Sequence, residues 1–438
     1  MAMTLSTPEQ KSRGPITDSH GKVDPGEIAV GVVIGRISEF FDFFVYAIAC
    51  VIVFPRLVFS NVDPLTGTLY SFAIFALAFI ARPFGTALFL AVDRRHGRGA
   101  KLTTALFLLG VSTVAIAFLP SRDQIGVSVV WVLALLRIGQ GLAWGGTWDG
   151  LASLLAVNAP EKKRGWYTML PQLGAPLGLI VASGLFAFFS GYLSEEDFYS
   201  WGWRYPFFVA FAINVVALFA RLRMVVTPEY TELFERGELN PAKISDTVRS
   251  ESTKIAIGAF APLATFALFH MVTVFPLSWV YLFTAERATR FLIIECVAAG
   301  FGLLAILASG WLADRIGRRA LLGGSAVAIA AFSGFAPQFL AGGVLGELFF
   351  MVLGFILLGF SFGQSSGVVA SNFTKIYRYT ASAITNDLAW LFGAGFAPFA
   401  ALFLSSHFGL LASGAYLLSG ALCTLVALLF NKRLEMAG

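Results

Sequence analysis

The chain has 438 residues, of which 57% are hydrophobic and only 13% are charged, whereas an average soluble domain has about 25% charged residues. This composition excludes an ordinary soluble protein. The formal net charge is +5, but the Lys and Arg residues are spread over short segments between apolar runs rather than gathered in one patch. They therefore indicate membrane topology, and no nucleic-acid partner is expected.

Twelve apolar runs are long enough to cross a bilayer, which takes about 20 helical residues. Each must be a helix, because the hydrocarbon layer offers no hydrogen-bond partner to free backbone groups. The expected fold class is an all-α membrane protein in contact with the lipid bilayer. Its predicted spans are 29–54, 67–92, 102–119, 127–150, 166–190, 204–222, 255–283, 291–313, 320–341, 346–370, 380–404 and 408–431.

The distribution of basic residues predicts the orientation. With the N-terminus inside, 23 of the 31 Lys and Arg residues fall on one side, five fall on the other and three lie within helices. Because basic residues accumulate on the cytoplasmic side, both termini are expected in the cytoplasm. The expected organisation is a cytoplasmic tail at 1–28, a six-helix bundle at 29–222, a loop at 223–254, a second bundle at 255–431 and a short tail at 432–438.

Two short charged turns divide long apolar stretches at corresponding places in the two halves. The sequence reads DRRHGR at 93–98 and DRIGRR at 314–319. The glycine permits a tight turn, and the aspartate is able to cap or pair with a neighbouring helix end. Because the turn occurs twice, the sequence favours a membrane transporter built from a repeated unit.

The second turn extends back to Gly310 as GxxxDRxGRR, which is a full match to the loop signature of the major facilitator superfamily. The first copy is degenerate, because Phe89 stands at the glycine position and one extra residue precedes Gly97. Helix four carries RxxxGxxxG at 137–145, which resembles a second superfamily signature. The resemblance implies two pseudo-symmetric six-helix bundles with a complete pathway in one chain, functional as a monomer.

Several stretches are similar to the metabolite:proton symporter family: EFFDFFVY at 39–46, RPFG at 82–85, RIGQG at 137–141, PQLG at 171–174 and WGWR at 201–204. The resemblance implies proton-coupled import of small organic acids or zwitterionic osmolytes across a bacterial inner membrane. One departure concerns helix four, where the family usually has a glutamate after the paired glycines. Here the sequence continues GGTWD, which moves the acid to Asp149.

Helix one carries three ionisable residues, Arg36, Glu39 and Asp42, whose spacing of three places them on one helix face. An ionisable side chain near the middle of a bilayer costs about 2.5–3.5 kcal/mol, so each one needs an explanation. We hypothesise that Asp42 is the proton-coupling residue, that it shares its proton with Glu39, and that Arg137 on helix four is its counter-charge. The alternative is a static ion-pair network.

The candidate substrate-binding residues are polar or aromatic side chains within the predicted spans: Arg36, Tyr46, Arg137, Gln140, Trp144, Gln172, His270, Gln364 and Asn386. Two arginines at membrane depth would draw an anion inward. The alternatives are pairing of Arg36 with Glu39, a neutral hydrogen-bonded His270, helix-joining by Gln364 and simple packing of Trp144.

Charged residues near the cytoplasmic helix ends are expected to form a gate, with Asp387 paired to the first charged turn. The candidates are Asp93, Arg94, Arg98, Asp149, Asp314, Arg315, Arg318 and Asp387. For Asp149 the alternative is a solvated charge at a helix end.

Other function classes lack sequence support. No nucleotide-binding GK[ST] loop, zinc spacing or nucleophile–base constellation occurs, so no ATP-driven transport, enzyme activity, cofactor or metal is expected. The expected function is proton-coupled symport of a small organic anion, such as a mono- or dicarboxylate. The alternatives are import of a zwitterionic osmolyte, efflux by an antiporter and a non-transporting membrane sensor. The helix-five order GAPLG at 174–178 differs from the antiporter signature and favours import.

Overall fold

A computed structural model of the chain describes residues 25–147, 150, 159–225, 240–284, 286–370 and 373–430. All regular elements among these residues are helices, as predicted. Ten helices are long and apolar enough to cross a membrane, and one of them, Pro64–Ala117, has 54 residues. This helix breaks at Gly97 and serves as two spans. Together with Pro25–Ile52, which has 28 residues, the count is consistent with twelve spans.

We label the spans α1 to α12. They are α1 Pro25–Ile52, α2 and α3 at 64–96 and 98–117, α4 Ser128–Thr147, α5 Arg164–Tyr192, α6 Tyr205–Val225, α7 Leu263–Phe283, α8 Ala288–Ile316, α9 Arg318–Ala341, α10 Gly343–Gly367, α11 Arg378–Phe408 and α12 Leu410–Phe430. Short helices at Phe54–Leu57, Arg122–Ile125, Glu161–Lys163 and Glu195–Ser200 lie between spans.

The two charged turns have the same backbone construction. Gly97 between α2 and α3 has a φ of 81°, and Gly317 between α8 and α9 has a φ of 86°. Both values lie in the left-handed region, which glycine adopts at little steric cost because it has no Cβ. The related sequences DRRHGR and DRIGRR thus build the same turn once in each half. We call the end of the molecule that carries these turns the charged-turn end.

Glycines bring helix backbones close together within each half. A Cβ on Gly141 of α4 would lie 2.3 Å from the carbonyl oxygen of Ala78 on α2, and one on Gly145 would lie 2.2 Å from the amide nitrogen of Thr86. In the second half, a Cβ on Gly359 of α10 would lie 2.6 Å from the carbonyl oxygen of Gly302 on α8. Small residues permit this close approach in membranes, and the α2–α4 contact fixes the position of Arg137.

The predicted loop at 223–254 contains the beginning of a helix, Ile244–Phe260. Its buried Glu251 accepts hydrogen bonds from the backbone N–H and hydroxyl of Thr374, just before α11. The predicted start of the second bundle, residue 255, therefore lies within this helix, and the division into domains stays a prediction. Several spans also have internal irregularities, among them a 3₁₀ segment at Leu170–Leu173, a break at Val274 and a π-helical segment at Leu391–Gly395.

The two halves are in contact at both ends of the bundle. At the charged-turn end, the carboxylate of Asp314 on α8 accepts hydrogen bonds from the backbone N–H groups of Gly165 and Trp166 at the start of α5. At the opposite end, the hydroxyls of Ser190 on α5 and Thr289 on α8 lie 2.9 Å apart. The described residues thus include contacts between the halves at both ends of the bundle.

Candidate functional site

Asp42 lies in the middle of α1 and is 1% exposed. Its Oδ1 accepts hydrogen bonds from the hydroxyl of Thr113 on α3, at 2.5 Å, and from the amide of Asn214 on α6, at 3.3 Å. Its Oδ2 has no hydrogen-bond partner among the described residues. One carboxylate oxygen is therefore held by two donors, and the other is left open.

Arg137 on α4 reaches Asp42 through two intermediate side chains. Its Nη1 donates to Oε1 of Gln140 at 3.0 Å, and Nε2 of Gln140 donates to the Thr113 hydroxyl oxygen at 2.9 Å. A guanidinium only donates hydrogen bonds, so the Gln140 amide is oriented with its NH₂ group towards Thr113. The Thr113 hydroxyl hydrogen is then left to point at Asp42. In this relay, which runs from Arg137 through Gln140 and Thr113 to Asp42, the hydrogen of each bond points towards the carboxylate.

The predicted pairing of Arg137 with Asp42 is therefore indirect. The guanidinium Cζ of Arg137 lies 4.0 Å from the ring centre of Tyr46, 4.7 Å from that of Phe75 and 4.8 Å from that of Trp144. Its Nε donates to the carbonyl oxygen of Phe75. No carboxylate in the described part of the chain forms an ion pair with Arg137. Aromatic faces stabilise the buried cation, and the relay extends its influence to Asp42.

Glu39 pairs with Arg36, with 2.8 Å between Oε2 and Nη1. This is one of the two partners that the helical spacing allowed. Asp42 accepts hydrogen bonds from Thr113 and Asn214, and the described residues show no shared proton between Asp42 and Glu39. Arg36 also lies 4.6 Å from the ring centre of Phe40.

Two small cavities lie beside α1. One has a volume of about 20 Å³ and is lined by Glu39, Phe40, Phe43, Phe79, Arg82, Trp144 and Trp390. The other has a volume of about 10 Å³ and a polar lining, with Arg36, Gln172, Phe266, Phe362, Ser365, Ser366, Asn386 and Trp390. Each volume is close to the space that one water needs. The second cavity brings together three predicted substrate-binding residues, Arg36, Gln172 and Asn386, from both halves of the chain.

Five other predicted substrate-binding residues line neither cavity: Tyr46, Arg137, Gln140, His270 and Gln364. His270 is fully buried, stacked on Phe43 at 5.2 Å between ring centres, and neither of its ring nitrogens has a partner in the described part of the chain. Gln364 donates to the carbonyl oxygen of Gly165, as a helix-joining residue does. The Tyr46 ring covers Arg137. Gln140 belongs to the relay, and Trp144 lines the first cavity.

The prediction that Asp387 pairs with the first charged turn is wrong. Its Oδ1 lies 2.8 Å from Nε of Arg82, and its Oδ2 accepts a hydrogen bond from Thr86 at 2.5 Å. Both partners belong to α2, at least seven residues before the turn begins at Asp93. Because Asp387 is on α11, this buried ion pair joins the two halves. Asp387 on α11 lies at the same depth in the bundle as Arg82 on α2 and does not reach the first turn. The sequence alone does not give the relative depth of two helices.

The other predicted gate residues differ in what they contact. Asp93 pairs with Arg98 and Lys101, and the hydroxyl of Tyr379 on α11 accepts a hydrogen bond from Lys101 at 2.8 Å. Arg94 donates to the carbonyl oxygen of Ala242.

In the second turn, Arg318 donates to the hydroxyl of Thr168 on α5 at 3.1 Å. Arg315 instead lies 3.8 Å over the ring of Trp311 on its own helix. Asp149 lies outside the described residues. Both turns thus make contacts across the halves. Asp93, Arg98 and Lys101 meet Tyr379 on α11, and Asp314 and Arg318 meet α5.

Sequence reasoning missed four residues that the structure places in buried polar contacts. Thr113 and Asn214 hold Asp42, and Arg221 donates to the carbonyl oxygens of Gly35 and Thr147. Glu295 on α8 accepts a hydrogen bond from Ser183 on α5. Glu295 could have been found by the rule applied to Asp42, since it is an acid within a predicted span. Thr113 and Asn214 carry no such signal, because neutral polar residues are common in membrane helices.

Comparison with known proteins identifies the family of this chain. A sequence model of the Major Facilitator Superfamily matches residues 36–398. The inner membrane metabolite transport protein YhjE of Escherichia coli K12 is 37% identical and covers 92% of this chain and 93% of its own. The shikimate transporter of E. coli K12 is 31% identical, with 93% and 95% covered.

Among solved structures, the proton:xylose symporter XylE of E. coli superposes with a TM-score of 0.70 at 17% identity, covering 93% of this chain and 95% of its own. This likeness shows the fold, and the closer sequence relatives show the class of protein. The chain is a multi-pass membrane transport protein and not an enzyme, and it belongs to the major facilitator superfamily.

Proposed function

We propose that the chain is a proton-coupled symporter that imports a small organic anion by alternating access, with both termini and the charged turns in the cytoplasm of a bacterium. The observation that carries this proposal is the environment of Asp42. A buried carboxyl group without an ion-pair partner among the described residues lies in the middle of α1, with one oxygen held and the other open. The shikimate transporter adds support, since shikimate is an organic acid.

Asp42 is proposed to bind the transported proton on Oδ2. Oδ1 already accepts hydrogen bonds from Thr113 and Asn214. In the ionised form, these donors and the Arg137 charge behind them stabilise the carboxylate. A hydronium ion that reaches Oδ2 transfers its proton and leaves a water, and the neutral acid is then held more loosely by the relay. Protonation thereby changes the relative stability of the conformations on either side of the cycle.

The balance of buried charge favours an anionic substrate. Around the two cavities, the bundle interior contains four arginines, Arg36, Arg82, Arg137 and Arg221, and three carboxyl groups, Glu39, Asp42 and Asp387. When Asp42 is protonated, the cations exceed the carboxylates by two. An isolated charge is costly to bury, so an anion that binds beside Arg36 compensates part of this excess. Proton and anion then enter together.

The polar cavity is the proposed substrate site. Arg36 on α1 and Gln172 on α5 face Ser365 and Asn386 from the second half, so a substrate there touches both halves. The present cavity holds little more than a water, and transport requires it to widen as one end opens. Residues between the halves are where a transporter of this design binds its cargo.

The test is uptake into proteoliposomes under an imposed inward proton gradient. Labelled mono- and dicarboxylates, aromatic acids and betaines are offered, with and without a protonophore. We expect accumulation of a carboxylate that the protonophore abolishes. Accumulation of betaine alone would show that the substrate is a zwitterion rather than an anion. Uptake that ignores the protonophore, or extrusion when the gradient is reversed, would overturn the symporter assignment.

Asp42→Asn separates coupling from substrate movement. Asn cannot take up the transported proton but keeps the size of the side chain. The variant is expected to lose accumulation under the gradient and to retain exchange of internal for external substrate. Glu39→Gln is the matched control, since it removes a second carboxyl group three residues away on the same helix. If Glu39→Gln abolishes accumulation and Asp42→Asn does not, Glu39 rather than Asp42 is the proton-coupling residue.

A further inference from the structure

A second buried carboxyl group, distant in sequence from Asp42, lies between the two halves. Glu295 on α8 is 0% exposed. It follows the first residue of α8, Ala288, by seven positions, which places it about 10 Å along the helix axis from that end. Its Oε2 accepts a hydrogen bond from the hydroxyl of Ser183 on α5 at 2.8 Å, and its Oε1 has no partner among the described residues.

The contact belongs to a seam between α5 and α8, which we define by Ser183 and Ser190 on α5 and by Thr289 and Glu295 on α8. The hydroxyls of Ser190 and Thr289 meet at 2.9 Å nearer the end opposite the charged turns. Because α5 and α8 belong to different halves, this seam must part when the transporter opens at that end. Parting exposes Glu295 to water.

No basic group compensates Glu295 in the closed seam. The titratable and charged side chains on the packed helices are Arg290, Cys296, Asp314 and Arg315 on α8, Arg164, Tyr167 and Tyr192 on α5, His270 and Tyr281 on α7, Arg318 and Arg319 on α9 and Glu347 on α10. Arg290 is the nearest cation along α8, and it is already paired with Glu286 and Glu347 at 2.7 and 2.8 Å. Within the described chain, Glu295 has one hydroxyl donor and no ion pair.

Burial and a single neutral donor do not support a carboxylate. An uncompensated buried charge costs several kcal/mol, and the group avoids that cost by taking up a proton. Once the seam opens, water solvates the ionised form as it does any exposed glutamate. The closed seam therefore holds one more proton than the open seam, and the linkage relation makes closure favourable at low pH and unfavourable at high pH.

We propose that Glu295 is a second proton-binding site, which takes a proton from the side opposite the charged turns as the α5–α8 seam closes and returns it there as the seam opens. In closing, the carboxylate accepts a proton from hydronium and releases water, and opening reverses the transfer. This proton does not cross the membrane, so Glu295 differs from Asp42. The identification of this side as the outside of the cell rests on the orientation given in the proposed function.

The experiment measures the seam directly, without substrate. Nitroxide labels are placed at Tyr192 on α5 and Ile293 on α8, which are 81% and 55% exposed, after the native Cys50, Cys296 and Cys423 have been replaced. The full chain is reconstituted in lipid nanodiscs, and electron–electron double resonance gives the closed and open populations between pH 5 and pH 8. We expect the closed-to-open ratio to fall with rising pH, by up to tenfold per pH unit for one proton.

Glu295→Gln is expected to remove the part of this pH dependence that Glu295 contributes. In the Asp42→Asn background, it is expected to hold the closed-to-open ratio near its low-pH value, because Gln resembles the protonated acid. Ser183→Ala keeps the carboxyl group and is expected to keep a pH dependence. Because protonation of Asp42 also shifts the conformations, the same labels are read in an Asp42→Asn chain, which is expected to keep the contribution of Glu295 to the pH response. If Glu295→Gln elutes as a folded monodisperse protein and its seam still follows pH like the parent, Glu295 only joins the helices and the proposal is overturned.

The two proposals fail in different ways. If the protein shows no proton-dependent accumulation but the pH response of its seam depends on Glu295, the symporter assignment fails and the second site stands. If accumulation is normal and replacing Glu295 leaves the pH response of the seam unchanged, the symporter assignment stands and the second site is lost.

Discussion

Arg82 on α2 and Asp387 on α11 form a buried ion pair that joins the two halves of the molecule, with 2.8 Å between Nε and Oδ1. Their side chains are 5% and 2% exposed, so neither charge has much access to water while the pair exists. The pair lies beside the cavity lined by Glu39 and Trp390. It therefore holds the two halves together between this cavity and the charged-turn end.

Asp387→Asn is expected to open the charged-turn end. Removing one partner of a buried pair leaves the other charge uncompensated, at a cost of about 3–5 kcal/mol, and opening lets water reach Arg82. Spin labels at His96 and Ile316, one in each charged turn and both exposed, measure the separation of the turns. Arg315→Gln is the control, since Arg315 lies on Trp311 of its own helix. Equal distance distributions in both variants would contradict the role of the pair.

Thr113→Val tests the relay between Arg137 and Asp42. It removes the 2.5 Å hydrogen bond to Oδ1, and such a bond favours the ionised form by about 1.5–3 kcal/mol. Because the ionised form loses stability, the proton is held more tightly and the pH midpoint of coupled uptake is expected to rise by about 1–2 pH units. Thr113→Ser keeps the hydroxyl and should restore the parent profile. An unchanged midpoint in Thr113→Val would show that the relay does not act on Asp42.

Gly141→Ala is expected to lower thermal stability by forcing α2 and α4 apart. Its Cβ would lie 2.3 Å from the carbonyl oxygen of Ala78, which is backbone and cannot swing aside, and overpacking of this kind costs about 1–3 kcal/mol. Gly300→Ala on α8 is the matched control, because a Cβ there meets nothing within 4 Å. The melting temperatures of the two variants in detergent measure the difference in thermal stability. A Gly141→Ala protein as stable as Gly300→Ala would exclude a tight α2–α4 contact.

Arg36→Gln tests the proposed anion site. Losing the cation that lines the polar cavity is expected to raise KM for a carboxylate substrate about tenfold or more, which corresponds to about 1.4 kcal/mol of binding. Glu39→Gln should act in the opposite direction, because it frees Arg36 from its 2.8 Å partner. Initial uptake rates over a range of substrate concentrations give both values. If Arg36→Gln leaves KM unchanged, Arg36 serves only as the partner of Glu39.

The amino-acid sequence determined the fold class and the turn glycines. Long apolar runs must become helices in a bilayer, whatever surrounds them. The duplicated charged turns place Gly97 and Gly317 at positions where only glycine turns easily, and both have the positive φ that such a turn needs. Helical spacing on α1 also restricted the partners of Glu39, and Arg36 is the one found in the structure.

Only the tertiary structure decided which side chains meet across helices. Asp387 pairs with Arg82 rather than the first turn, and Arg137 reaches Asp42 through Gln140 and Thr113. The reason is physical: helical periodicity fixes which face a residue occupies, but not the rotation and depth at which two helices pack. Those are set by close contacts such as Gly141 against Ala78, and they determine whether a buried charge meets a counter-charge, a hydroxyl or an aromatic ring.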